Sequence, residues 1–95
     1  MTKPLDGKVA LITGAGKNIG RAIALKLAAD GAAIVVNGRS DRPIVDAVVG
    51  EIAASGGKAV AAMGDVSDPR AVEQMMGAVI AQMGGVDIVV SNAGL

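Results

Sequence analysis

The sequence predicts an α/β fold, a doubly wound parallel sheet built β-α-β-α-β-α-β. Short apolar runs recur along the chain without polar alternation, as strands buried on both faces of a parallel sheet require. Stretches of helical spacing separate these runs. Glycine or proline marks most of the junctions between them.

The first strand is predicted over Val9–Thr13. A helix follows from Asn18-Ile19, with Ile19, Ile23 and Leu27 on one face and Gly31 as its stop. The second strand is Ala33–Asn37. The second helix starts near Asp41–Pro43 and carries Ile44, Val45, Val48, Val49 and Ile52; Gly50 weakens its middle and Gly56-Gly57 end it. Ala59–Met63 is the third strand, with alanine in place of most β-branched residues. Ser67-Asp68-Pro69 opens the third helix, where Val72, Met75, Met76, Val79, Ile80 and Met83 follow helical spacing up to Gly84-Gly85. Its methionine stripe reads as core filling. Asp87–Ser91 is the fourth strand. Right-handed crossovers give a spatial order 3-2-1-4, with the switch point between strands 1 and 4. Ligands of such sheets bind at the carboxyl ends of the strands. The loops at 13–20, 37–40, 64–66 and 91–94 are therefore the ones to read.

Composition narrows the chemistry. The chain has 95 residues, 52% of them hydrophobic, and no Phe, Tyr or Trp, so its core is built from Ala, Val, Ile, Leu and Met. The formal net charge is zero and no basic block occurs, which argues against nucleic acid as a partner. No apolar run approaches the ~18 residues of a membrane span. No Cys and no His occur, which removes disulfides, thiol catalysis and most transition-metal sites. A soluble cytoplasmic protein is the expectation. Residues 1–95 are expected to form the N-terminal portion of a single dinucleotide-binding domain.

The first loop reads TGAGKNIG, Thr13 to Gly20. Gly14 permits a sharp turn out of strand 1. Ala15 and Gly16 let the backbone come close to a ligand. The following helix turns its free N–H groups and positive dipole end toward the loop. Gly20 lacks a side chain where the helix must pack on the sheet. A diphosphate fits these demands and makes this a Rossmann-type site. The alternative is a glycine-rich connector with no ligand. The spacing is not G-x-G-x-x-G, since Ile19 stands at the third glycine, and no G-K-[ST] of a P-loop appears.

Thr13-Gly14…Gly20, Asp65-Val66 and Ser91-Asn92-Ala93-Gly94 together resemble the short-chain dehydrogenase/reductase family, with the general look of 3-oxoacyl-carrier-protein reductases and their relatives. That family has a T-G-x-x-x-G-x-G turn, an Asp-Val after strand 3 and N-N-A-G after strand 4. Two positions depart from it. Asn18 replaces the middle glycine, where Asn tolerates positive φ better than most residues, and Ser91 replaces the first Asn of N-N-A-G. The resemblance implies that Gly14, Gly16, Lys17, Asn18, Ile19 and Gly20 bind the cofactor. It implies that Asp65 accepts from the adenine amino group, that Val66 completes that pocket, and that Asn92, Ala93 and Gly94 line the floor near the riboses. Asp65 also reads as a turn residue before Ser67, and Asn92–Gly94 as a polar strand end. An NAD site of this kind wants an acidic residue at position 38, which is Gly38 here. Arg39 and Lys17 can reach a 2′-phosphate instead. NADP is the expected cofactor, with NAD as the alternative.

The resemblance implies a hydride transfer between NADP(H) and a small-molecule carbonyl or alcohol, in a full-length enzyme that is a homo-oligomer. It places the catalytic Ser, Tyr, Lys and Asn beyond strand 4. The chain contains no Tyr, so no catalytic residue is assigned. The expectation is an N-terminal part of a longer enzyme. A non-catalytic nucleotide-binding or regulatory protein and an inactive fragment are the other readings. No metal site is expected.

Overall fold

The computed structural model describes residues 3–14 and 18–92. The element order is β1 (Val9–Ile12), α1 (Asn18–Ala29), β2 (Ala33–Gly38), α2 (Arg42–Ala54), β3 (Ala59–Met63), α3 (Pro69–Met83) and β4 (Ile88–Val90). The four strands form one parallel sheet in the order β3-β2-β1-β4, as the alternation predicts. The register pairs Val9 with Ala33, Ala10 with Ile88, and Ile34 with Ala59.

The pleat divides the core in two. Ala10, Ile12, Ile34 and Val36 face one side, where Ala24 and Ala28 of α1 and Val45, Val48 and Ile52 of α2 close over them. Val9, Leu11 and Val35 face the other side, under Met75 and Val79 of α3. The alanines of β3 alternate in the same way: Ala59 and Ala61 pack on the first cluster, Val60 and Ala62 on the second. Burial on both faces holds fully only for the central strands β1 and β2. The edge strands β3 and β4 are half-buried, because each has a neighbour on one side only.

Strand ends differ by one residue from expectation. β1 stops at Ile12, since the chain turns at Thr13 and Gly14, although the Thr13 amide still donates to the Val90 carbonyl (3.0 Å). β2 runs one residue further, because Gly38 pairs with Met63. Asp87 lies outside β4 but closes the ladder with both its groups. Its amide donates to the Val9 carbonyl (2.8 Å), and its carboxylate accepts from the Val9 amide (2.8 Å).

Three apolar residues assigned to helices are turned outward: Ile19 is 68% exposed, Ile80 51% and Ile44 38%. In α1 the residues pressed to the sheet are Gly20, Ala24 and Ala28, while Ile23 and Leu27 sit half-buried beside them. Small residues at that four-residue spacing let the helix axis come close to the strands. Arg21 of α1 forms a two-pronged ion pair with Glu51 of α2, one prong being Nε to Oε1 at 3.0 Å. Asp68 caps α3, accepting from the Arg70 amide (3.0 Å) ahead of Pro69 in the first turn.

Candidate functional site

Gly14 leaves β1 at φ 62°, a left-handed conformation that glycine adopts without strain. Asn18 opens α1 at φ 56°, the one non-glycine residue with positive φ among those described. The tolerance expected of an Asn in place of the family glycine is therefore used. Ala15, Gly16 and Lys17 lie outside the described residues. Gly20 has no room for a side chain: a Cβ there would meet the Gly14 carbonyl oxygen and stand 2.7 Å from Asn92 Nδ2. The first turn of α1 carries no acidic residue to offset its positive end.

Asn92 ties the end of β4 to this turn. Its amide donates to Thr13 Oγ1 (2.8 Å) and its Nδ2 donates to the Gly14 carbonyl (3.2 Å). Thr13 Oγ1 in turn donates to the Val90 carbonyl (3.4 Å). The Ser91 side chain makes no hydrogen bond to a described residue. Ala93 and Gly94 lie outside the described residues.

The ends of β2 and β3 meet beside the turn. Gly14, Asn37, Arg39, Gly64, Asp65, Val66 and Ser67 line one cleft of about 400 Å³. Buried Asn37 fastens the two strand ends: its Nδ2 donates to the Ala62 carbonyl (2.9 Å) and, more weakly, to that of Gly64 (3.3 Å). Asp65 Oδ1 accepts from the Ser67 amide (2.9 Å) and hydroxyl (2.7 Å). Its Oδ2 lies 3.4 Å from Arg39 Nε. The Ser67 hydroxyl and amide hold the Asp65 carboxyl below the usual carboxylate range, and the Arg39 charge adds to this. Asp65 thus makes the turn contact anticipated for it and also presents its second oxygen to the cleft wall.

Position 38 is sealed. A Cβ on Gly38 would run into Val45 Cγ2, a fully buried methyl of α2, with Met63 Cε 3.5 Å away. The site where an acidic residue would be needed cannot carry a side chain unless α2 gives way. Arg39, next in sequence, projects into solvent at the cleft rim, its side chain 78% exposed.

A larger depression, about 590 Å³, opens at the opposite end of the sheet between Lys3, Lys8, Gly31, Gly57 and Lys58. It contains none of the loops that follow the strands. The smaller cleft lies at the carboxyl ends, where ligands of open α/β sheets bind. Among the described residues no group of three His, Cys, Asp or Glu could hold a metal ion, and no helix is long and apolar enough to cross a membrane.

Gly14, Arg39, Asp65 and Val66 thus share one cleft, while Asn18, Gly20 and Asn92 build the turn beside it. Ile19 is at the helix start with its side chain in solvent. Three residues read only as parts of their elements also have structural work at this cleft: Asn37, a strand end, Val45, a helix face, and Ser67, a helix start. Asn37 alone left a signal, an amide at the end of an otherwise apolar strand.

The short chain dehydrogenase family matches residues 8–95. The chain belongs to this family. The chain is 50% identical over 91 residues to an uncharacterised oxidoreductase of Methylorubrum extorquens, covering 96% of the chain and 37% of that protein. It is 42% identical over 91 residues to a 3-oxoacyl-[acyl-carrier-protein] reductase of Synechocystis, again covering 96% and 37%. Its fold superposes on a dehydrogenase/reductase from Sinorhizobium meliloti with a TM-score of 0.92 at 42% identity, over 96% of this chain and 36% of the other. A short chain dehydrogenase from Burkholderia cenocepacia, solved in complex with NADP, gives a TM-score of 0.89 at 44% identity, over 96% and 37%. The chain therefore spans a little over a third of the length of these relatives.

Proposed function

We propose that this chain supplies the adenosine side of an NADP(H) site in a short-chain oxidoreductase acting on a carbonyl or alcohol substrate. The observation that carries the reading is the end of β2. Gly38 is closed to a carboxylate by Val45, and Arg39 stands at the rim of the cleft. A ribose with two free hydroxyls would find no carboxylate at position 38, whereas a 2′-phosphate would find the Arg39 guanidinium. The positive end of α1 and the left-handed turn at Gly14 suit the diphosphate. Asp65, with Val66 beside it, suits the adenine. Lys17 and the Asn92–Gly94 segment belong to the same proposed site. The NADP found in the Burkholderia relative supports this choice. When bound, the nicotinamide supplies the hydride chemistry; the residues here bind and orient its far end.

The test is the affinity of the full-length protein for NADP and NAD by calorimetry. NADP is expected to bind more tightly. Arg39→Ala should reduce the ratio of the two affinities about five- to tenfold, the modest end for a charge contact, because Arg39 is solvent-exposed. A wild type that favours NAD, or a ratio untouched by Arg39→Ala, rejects the proposal. Ketone-dependent oxidation of NADPH by the full-length protein separates an enzyme from a non-catalytic nucleotide-binding chain.

A further inference from the structure

We infer that Ser67 is a positioning residue that aims Arg39 through Asp65, and so helps to set the choice between NADP and NAD. The inference rests on the proposed adenosine site and deepens it.

The Asp65 carboxylate has two oxygens with separate partners. Oδ1 accepts from both the amide and the hydroxyl of Ser67, and Oδ2 faces Arg39 Nε at 3.4 Å. A carboxylate alone turns freely, since its terminal torsion is broad and roughly two-fold. Two bonds to one oxygen fix the plane, and with it the direction of the other oxygen. Arg39 needs such a guide. Its side chain is long and exposed, and makes no hydrogen bond among the described residues. A rotamer-rich side chain loses substantial entropy when a ligand orders it. A partner that holds it in advance reduces that loss. The contact is made through Nε, which leaves the terminal nitrogens as the end that meets an anion.

The Ser67 hydroxyl is not required to start the helix. Asp68 is the cap of α3, and its carboxylate takes the Arg70 amide. Among the described residues, the one hydrogen bond that the Ser67 hydroxyl makes is to Asp65. Removing it should leave the fold and the Asp65 charge in place while loosening the aim of Oδ2.

The experiment measures dissociation constants of NADP and NAD for the full-length wild type, Ser67→Ala, Ser67→Thr, Arg39→Ala and the Arg39→Ala/Ser67→Ala double variant. Both cofactors share the adenine, so their ratio cancels any change in adenine contact. Ser67→Ala should lower the NADP-to-NAD affinity ratio about threefold, in keeping with an exposed ion pair. Ser67→Thr keeps a hydroxyl and should restore the ratio. In the Arg39→Ala background, Ser67→Ala should leave the ratio unchanged, because the path runs through Arg39. An unaltered ratio in Ser67→Ala, or an equal fall with and without Arg39, overturns the positioning role while leaving the NADP site standing. A wild type without NADP preference overturns the site itself, and this inference with it.

Discussion

A carboxylate at position 38 would have to displace Val45. A direct route from NADP to NAD would be Gly38→Asp with Arg39→Leu. The structure makes that route costly, since the new Cβ meets a stiff, buried valine methyl. Gly38→Asp should destabilise by roughly 1–3 kcal/mol, the usual range for overpacking. Adding Val45→Ala should recover part of it and let the affinity ratio turn toward NAD. Urea midpoints and cofactor affinities of the two sets check this; a double variant of full stability and full NAD preference would refute it. Asp65 offers a second test at this scale. Its native pKa lies below the usual value, so its contribution is complete above about pH 3.9, the unfolded value. That contribution fades as pH falls through the lower native pKa. Asp65→Asn should therefore be less stable than wild type at pH 7, and the gap should narrow as pH falls below the unfolded value and through the lower native one. A gap in melting temperature that stays constant with pH would show that Ser67 and Arg39 do not favour the charged form.

Glycines of the same type have opposite roles in different helices. In α1, Gly20 lies against the Gly14 carbonyl and the Asn92 amide. Gly20→Ala should lower stability by about 1–3 kcal/mol, outweighing the gain of up to about 1 kcal/mol in helix propensity. In α3, a Cβ on Gly77 meets nothing within 4 Å, so Gly77→Ala should stabilise by about 0.5–1 kcal/mol. Denaturant unfolding of both variants reads the signs; two shifts in one direction would show that the close packing of α1 is not what Gly20 provides. The existence and order of these elements were legible because hydrophobic period and turn residues are local signals. The buried faces of α2 and α3 were legible as well, in Val45, Val48, Ile52, Met75 and Val79, but the face that α1 presses on the sheet was not. Ile19 and Ile80 obey helical spacing yet face solvent, since the sheet selects small residues where α1 must approach closely. The Asp65–Arg39 contact was equally hidden, because it joins loops 26 residues apart in a register that only the folded sheet sets. Arg39 and Asp65 were each nominated, without their pairing.

The sheet as a whole has one well-covered centre and two unequal edges. β4 contributes three residues, and Val89 at its middle is 62% exposed on the side that α3 leaves open. Unpaired strand edges and apolar faces invite association. The 95-residue polypeptide should therefore sediment as a mixture heavier than monomer, and Val89→Lys should shift it toward monomer across a concentration series. A monomeric wild type would show that β4 is protected by means other than pairing.

The junction of β1 with Asp87 also sets a schedule for synthesis. Both backbone groups of Val9 are completed by a residue made 78 positions later. At ordinary translation speeds of ~5–20 residues per second, that partner arrives about 4–16 s after Val9. Through this interval β1 can pair with β2 on one side but has its other edge open, with a four-residue apolar strand on display. The nascent chain is thus most prone to wrong pairing before its fourth strand exists. The strand that carries the glycine turn gains its second neighbour only when β4 closes on it.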